Sequence, residues 1–240
     1  MCNLYGTTSR DEIHRLDWVR LRDDLPEWQA VVGPLGQGLI VRQHGEADVG
    51  QWGMIPPGSP TRRPMTKQGR PMSTNNARRE TVATAWTFRY PWARGQRCLI
   101  PAVWFQEPYW GISRADMLTP AKKSTPWHFR RADGEPWWLA GLWSEWTDPA
   151  SGEVVLNYTM LTQNCDGHPI LELMHKPEPD QPPDRQDKRT VVPIWEQDID
   201  AWLHGTVAQA EALIRVPAPD TIAHGPADPD RALFRQLPAA

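Results

Sequence analysis

The sequence predicts a single α+β domain with an antiparallel, barrel-like, many-stranded core and peripheral helices. Three observations point there. The 240 residues suffice for one sizeable core. Twenty-five prolines argue against long uninterrupted helices and for short strands joined by rigid turns. Apolar runs of strand length, bounded by Gly, Pro or polar turn residues, fill the middle of the chain, and the helical patterns lie outside them.

Taken in order, Leu4 follows a short MCN opening that reads as a strand start. Ser9-Arg10-Asp11-Glu12 fits a capping box with Ser9 as N-cap. A helix is therefore expected from about Arg10 to Arg22, with Ile13, Leu16, Trp18 and Val19 turned inward. GLIVRQ (38–43) and VGQWGMIP (49–56) read as strands ended by Gly and Pro. PPGSPTRRPMTKQGRPMST is a polar, basic, Pro-rich loop, and ARRETVATAW (77–86) reads as a helix capped by Asn76 or Asn75.

RCLIPAVWFQE (97–107) is a strongly apolar strand. PWHFRR, PWWLAGLWSEW and VVLNYTMLTQ give three more, with DPASG as a hairpin turn between the last two. PEPDQPPDRQD (177–187) reads as a flexible or polyproline-like insertion. KRTVVPI is a further strand, followed by short helices near 199–203 and 207–214. Residues 2–215 are expected to form the domain and 216–240 a Pro-rich, poorly ordered tail. No internal repeat interrupts this layout.

Forty per cent hydrophobic and 23% charged residues are ordinary for a soluble globular protein. No apolar run approaches the roughly 18 residues of a membrane span, and the N-terminus lacks a signal-peptide pattern. A cytoplasmic protein is expected. Cys2, Cys98 and Cys165 suggest neither a disulfide framework nor a zinc knuckle, and His168 and His175 make a weak metal pair. No nucleophile elbow, zincin motif, P-loop or dinucleotide fingerprint is present, so no metal and no cofactor is expected.

The net charge of −3 conceals an uneven layout. From Thr61 to Arg97 nine basic residues stand against Glu80 alone, whereas the segment from Lys176 onward is net acidic. Such a concentration suggests a polyanion-binding face, with a dispersed solvated surface as the plainer alternative. The 14 tryptophans, against 4 Phe and 4 Tyr, indicate a heavy aromatic core. Trp also stacks on the bases of single strands.

Cys2 is singular because removal of Met1 would leave a thiol beside a free α-amine. Their ordinary pKa values, about 8.5 and about 8, leave usable free base at neutral pH. A 1,2-aminothiol condenses with an aldehyde through its amine, and the thiol then closes a five-membered thiazolidine. Taken alone, Cys2 could equally be an accident of composition.

MCNLY, QWGMIP (51–56), TNNARRET (74–81), RCLIPAVWFQE and LTQNCDGHPILELMHKP (161–177) occur in one order. In that order and spacing the chain resembles the SOS response-associated peptidase (SRAP) family of abasic-site shielding proteins over about residues 2–204. The resemblance carries the family's catalytic cysteine onto Cys2, the Asn and Arg of its N-A-R stretch onto Asn76 and Arg78, its strand-end glutamate onto Glu107 and its histidine onto His175.

It implies covalent thiazolidine capture of abasic sites in single-stranded DNA during the SOS response, associated autoproteolytic peptidase activity and a lyase-type activity. It also implies a monomer that binds single-stranded DNA carrying abasic sites, with no membrane partner. In this reading His175 protonates the sugar ring oxygen, Glu107 shuttles protons near the Cys2 amine, and Asn76 bonds the amine or a sugar hydroxyl. Arg78 contacts a phosphate, Arg62, Arg63, Lys67 and Arg70 track the strand, and Trp52 stacks on a base. The alternatives are a cysteine peptidase or amidohydrolase with Cys2 as nucleophile, and a non-covalent single-strand binding module.

Pro57-Gly58-Ser59 stands where the family often has Trp after W-G-[LM]-I-P, and Pro108 follows Glu107 in place of an aromatic. An insertion separates His175 from Lys188-Arg189.

Overall fold

The computed structural model describes residues 1–111, 123–178, 180–182 and 185–227. In chain order it comprises β1 (Leu4–Thr7), α1 (Arg10–His14), β2 (Val31–Val32), β3 (Gln37–Val41), β4 (Ala47–Trp52), β5 (Asn76–Arg78), α2 (Arg79–Val82) and α3 (Arg89–Ala93). There follow β6 (Arg97–Tyr109), β7 (Thr125–Arg131), β8 (Trp137–Thr147), β9 (Val154–Asn164), β10 (Arg189–Val191), α4 (Ile199–His204), α5 (Val207–Ala212) and β11 (Ile222–Pro226).

β3, β4, β9, β8 and β6 close into a five-stranded barrel, because each pairs with the next and β6 returns to β3 through Val41 and Leu99. The sheet is antiparallel as expected, except that β4 and β5 both run parallel to β9. Its strands alternate between two apolar layers with the period of two that a pleat imposes. Leu39, Val41, Leu99, Ala140 and Leu142 join the layer shared with Ile13, Trp202 and Ala210 of the helices. Ile40, Cys98, Ile100 and Leu139 belong to the second layer, with Cys2, Tyr5, Trp52, Tyr158 and Met160. Burial on both faces is why the strands read as near-continuous apolar runs.

Gly38 is required here: a Cβ would overlap the hydroxyls of Tyr5 and Tyr158, which bond to one another in the core. The tryptophan excess is mostly core, since seven are buried and only Trp86 is exposed.

Three local expectations are corrected. The capping box at Ser9 forms, but α1 ends at His14 rather than Arg22. Arg20 instead pairs by its main chain with Gly45 and Ala47, which removes its groups from any helical ladder. The helix expected at 77–86 starts at Arg79 and is one turn long, with Arg78 as its N-cap position. The segment after Val216 is not loose throughout, for β11 pairs with β7 from Ile222↔Arg131 to Pro226↔Trp127. Residues 228–240 of that segment lie outside the described residues.

Gln186 ties down the described part of the insertion after His175. The buried Gln186 amide donates to the carbonyls of Glu178, Gln181 and Pro182 and accepts from the Glu178 N–H. The DPASG turn forms as expected, closed by Asp148 and Glu153.

Candidate active site

β6 is 13 residues long, and its second half runs beside β1 with Leu4 opposite Gln106. That register sets Cys2 at the end of the barrel, next to Glu107. Pairing of β5 with β9 brings Asn75 and Asn76 to the same end. Asn76 Nδ2 donates to the Cys2 main-chain oxygen at 2.7 Å, and Asn75 Nδ2 reaches that oxygen at 3.2 Å and Asn3 Oδ1 at 3.1 Å. Met174 bridges to Tyr109, and the His175 N–H donates to Pro108 O at 2.8 Å. Thus Cys2, Asn76, Glu107 and His175, four residues distant in sequence, converge.

Glu107 and His175 line a cleft of about 510 Å³ with Met1, Asn3, Gln106 and Pro126, and the buried Cys2 and Asn76 lie behind that lining. The terminal ammonium, here that of Met1, lies 3.4 Å from Glu107 Oε2 and 3.1 Å from the His175 ring nitrogens. His175 Nε2 is 3.3 Å from the same carboxylate oxygen and 3.2 Å from Arg189 O. At 3.4 Å the ammonium and Glu107 form an ion pair, yet among the described residues neither Glu107 oxygen has a well-formed hydrogen bond, and the buried Asn76 Oδ1 likewise has no partner. Cys2 Sγ donates to Leu4 O at 3.3 Å.

Burial dominates the electrostatics. It pushes the Glu107 carboxyl up to about 7, against the pull of the terminal ammonium. It holds His175 down at about 3, reinforced by that ammonium. The Cys2 thiol is pushed up to about 12 by burial and by the Glu107 charge. His175 is therefore neutral near pH 7, whereas the Glu107 carboxyl is protonated in part. Burial beside an ammonium disfavours the second charge that a proton-donor role for His175 requires.

The other expected site residues fare differently. Trp52 is fully buried, with Nε1 bonded to Asn75 O at 2.8 Å, so it supports the site from behind, where it forms part of the floor of a second groove. Arg78 is exposed beside the site and ion-paired with Asp187 at 2.8 Å. Asp187 also receives Arg189, which in turn holds Glu80 at 2.6 Å. Arg62, Lys67 and Arg70 are exposed, and Arg62 lies 3.8 Å from Glu153. Arg63 lines a second groove of about 390 Å³ with Leu35, Met72 and Asn75, and Asn3 borders both recesses. Arg97, counted with the basic run, is buried and donates to the carbonyls of Trp202 and Gly205.

Asn76 is not a helix cap but a clamp on Cys2. Asn75 and Asn3 were passed over as functional residues, although the Asn75-Asn76 doublet signalled the first. Cys98 and Cys165 are buried thiols with raised pKa values. His168 accepts the Ile170 and Leu171 N–H groups on one ring nitrogen and bonds Pro217 O with the other. Among the described residues no His, Cys, Asp and Glu cluster could hold a metal, and no helix is long and apolar enough to cross a membrane.

The SOS response associated peptidase (SRAP) family model matches residues 1–226. A chicken (Gallus gallus) protein named abasic site processing protein HMCES is 25% identical over 166 residues, covering 61% of this chain and 48% of the relative. The chain thus matches about half the length of that curated relative. A crystal structure from Bordetella bronchiseptica is similar at 31% identity, with TM-score 0.76, over 95% of this chain and all of that one. One from Bacteroides thetaiotaomicron shares the fold at 18% identity and TM-score 0.71, over 95% of this chain and 93% of that one.

Proposed function

Because the chain belongs to the SOS response associated peptidase (SRAP) family, we propose that it processes abasic sites in single-stranded DNA by covalent capture through Cys2. The observation that carries this reading is the terminal amine drawn to within 3.4 Å of Glu107 and 3.1 Å of His175, at the seat of a buried cysteine. The name of the chicken relative supports the substrate class.

Met1 must leave first. The Cys2 thiol adds to the Met1 carbonyl carbon, the C–N bond breaks as the nitrogen takes a proton, and water hydrolyses the resulting thioester to methionine and free thiol. This is the peptidase chemistry in its narrowest form, acting on the protein's own terminus. The freed amine is then that of Cys2, and the seat vacated by Met1 receives the deoxyribose.

Capture follows. Glu107, protonated in part near neutrality, donates to the sugar ring oxygen as the C1′–oxygen bond breaks, and the C1′ hydroxyl gives its proton to water to leave the open-chain aldehyde. The Cys2 amine adds to C1′, and loss of one water gives the imine. The thiol then adds across the C=N bond, with its proton ending on nitrogen, and closes the thiazolidine. The Cys2 amine attacks as its free base, neutral His175 accepts a hydrogen bond from it, and Asn76 Oδ1 accepts from that nitrogen or a sugar hydroxyl. Arg78 and the exposed Arg62, Arg63, Lys67 and Arg70 hold phosphates, and Leu35 and Met72 supply the apolar contact expected of Trp52.

A denaturing gel with an oligonucleotide carrying one abasic site tests the proposal. A band stable to heat and detergent that needs both the abasic site and Cys2 is expected, and Cys2→Ala must abolish it. Intact mass must show Met1 absent. No such band from Met1-free protein overturns the reading.

A further inference from the structure

We propose that Lys188 is the positioning residue for His175, its buried ammonium bonding the backbone of the left-handed turn that presents the imidazole to the cleft. The proposal deepens the capture reading above, since it takes His175 to be part of that site.

His175 has a φ of +60°, a conformation that residues other than glycine rarely adopt without support. Its main chain is held from both sides. The N–H donates to Pro108 O on β6, and the carbonyl accepts from Lys188 Nζ at 2.7 Å. The same ammonium donates to Met174 O, also at 2.7 Å. The Lys188 backbone is itself fixed, with its carbonyl accepting from the Cys165 N–H and its N–H donating to Asp166 Oδ1 at 3.0 Å. Lys188 therefore stands on the edge of β9 and reaches back across the mouth of the insertion.

The insertion explains the need. The chain leaves the site after His175 and returns thirteen residues later, so no neighbouring sequence pins the histidine. Lys188 re-closes that opening, and the adjacent Arg189 carbonyl meets the ring at 3.2 Å. Lys188 is only 4% exposed, and among the described residues no carboxylate lies within ion-pair distance of its Nζ. Asp166, Glu172 and Glu178 support the charge electrostatically, yet an ammonium whose hydrogen bonds go to carbonyls is still costly to bury, so a merely structural plug would be better served by an apolar side chain.

The charge has a second effect. Three charged groups face the imidazole: the terminal ammonium, Glu107 and Lys188. Both cations disfavour the imidazolium and keep the ring an acceptor.

Lys188→Met and Lys188→Arg are compared with wild type by crosslinking rate across neutral pH, by the His175 imidazole resonances in NMR and by thermal unfolding. Lys188→Met is expected to shift the His175 resonances, raise the pH at which the ring titrates, and slow capture on the order of tenfold to a hundredfold. Lys188→Arg, which keeps charge and donors, should recover most of the rate. In wild type the Lys188 Nζ protons should exchange slowly with water. A folded Lys188→Met protein with wild-type resonances and pH profile overturns the inference. Should that variant fail to fold, rapidly exchanging Nζ protons in wild type overturn it instead. If wild type forms no crosslink, the capture reading fails, while the His175 resonances still decide the role of Lys188.

Discussion

The side-chain amide of Asn76 donates at 2.7 Å to the main-chain oxygen of Cys2, joining residues 74 positions apart. The contact fixes the carbonyl of the proposed nucleophilic residue and leaves Asn76 Oδ1 buried with no partner among the described residues. A buried acceptor without a donor is costly, and here it points to an arriving N–H or hydroxyl.

Asn76→Ala should therefore lower stability by about 1–3 kcal/mol, from the carbonyl left with only the longer Asn75 bond. Capture should fall by more than the stability loss explains. Urea unfolding and single-turnover crosslinking separate the two, and equal losses in both would assign Asn76 a structural role alone.

Glu107 and His175 should drive stability in opposite directions with pH. Glu107 sits at about 7 in the folded chain, above its ordinary value of 4.5. Its contribution is full below pH 4.5 and is lost as pH rises through 7, a change on the order of 3 kcal/mol. His175 sits at about 3, below its ordinary 6.5. Its contribution is full above pH 6.5 and is lost as pH falls toward 3, on the order of a few kcal/mol. Relative to wild type, Glu107→Gln should gain stability as pH rises through neutrality and His175→Gln should gain it in acid. Denaturant midpoints across pH read both, and parallel curves would refute the assignment.

The same Glu107→Gln variant should capture aldehyde about a hundredfold or more slowly, having lost its transferable proton. A rate within threefold of wild type in a stopped time course would remove Glu107 from the chemistry.

Trp52→Ala should cost about 3–5 kcal/mol in stability, as for a fully buried indole. Per folded molecule, DNA affinity should change little. A fluorescence titration that shows selective loss of DNA binding in a fully folded variant would restore the stacking role that burial denies.

Arg78 is held by Asp187 at 2.8 Å. Asp187→Asn should tighten single-strand binding, and Arg78→Ala should weaken it and reduce the salt slope by about 0.7. Affinities measured over a salt series check both, and an unchanged slope in Arg78→Ala would place that side chain off the phosphate path.

Much of the barrel was legible. The apolar runs that became β3, β4, β6, β8 and β9 appear in the sequence because burial on both faces removes polar residues from them. The hairpin between β8 and β9 was equally plain from its turn residues. Short helices were the weak point, for the segment after Ser9 and the segment after Asn76 both carry helical patterns. Main-chain pairing of Arg20 with Gly45 and Ala47, and of Asn76 with β9, overrides a local preference worth only tenths of a kcal/mol per residue.

At the site, residue identity and residue role separate. By itself the sequence determined which groups could react: a thiol beside a potential free amine at Cys2, and the Asn76, Glu107 and His175 motifs in order. Only the tertiary structure decided what each does. Burial raised the Glu107 carboxyl and lowered the His175 imidazole, turned Trp52 inward, and made Asn76 a clamp rather than a cap. The physical reason is that protonation and hydrogen-bond partnership depend on solvent exclusion and on neighbours supplied by other strands, which register and barrel closure set and local sequence does not.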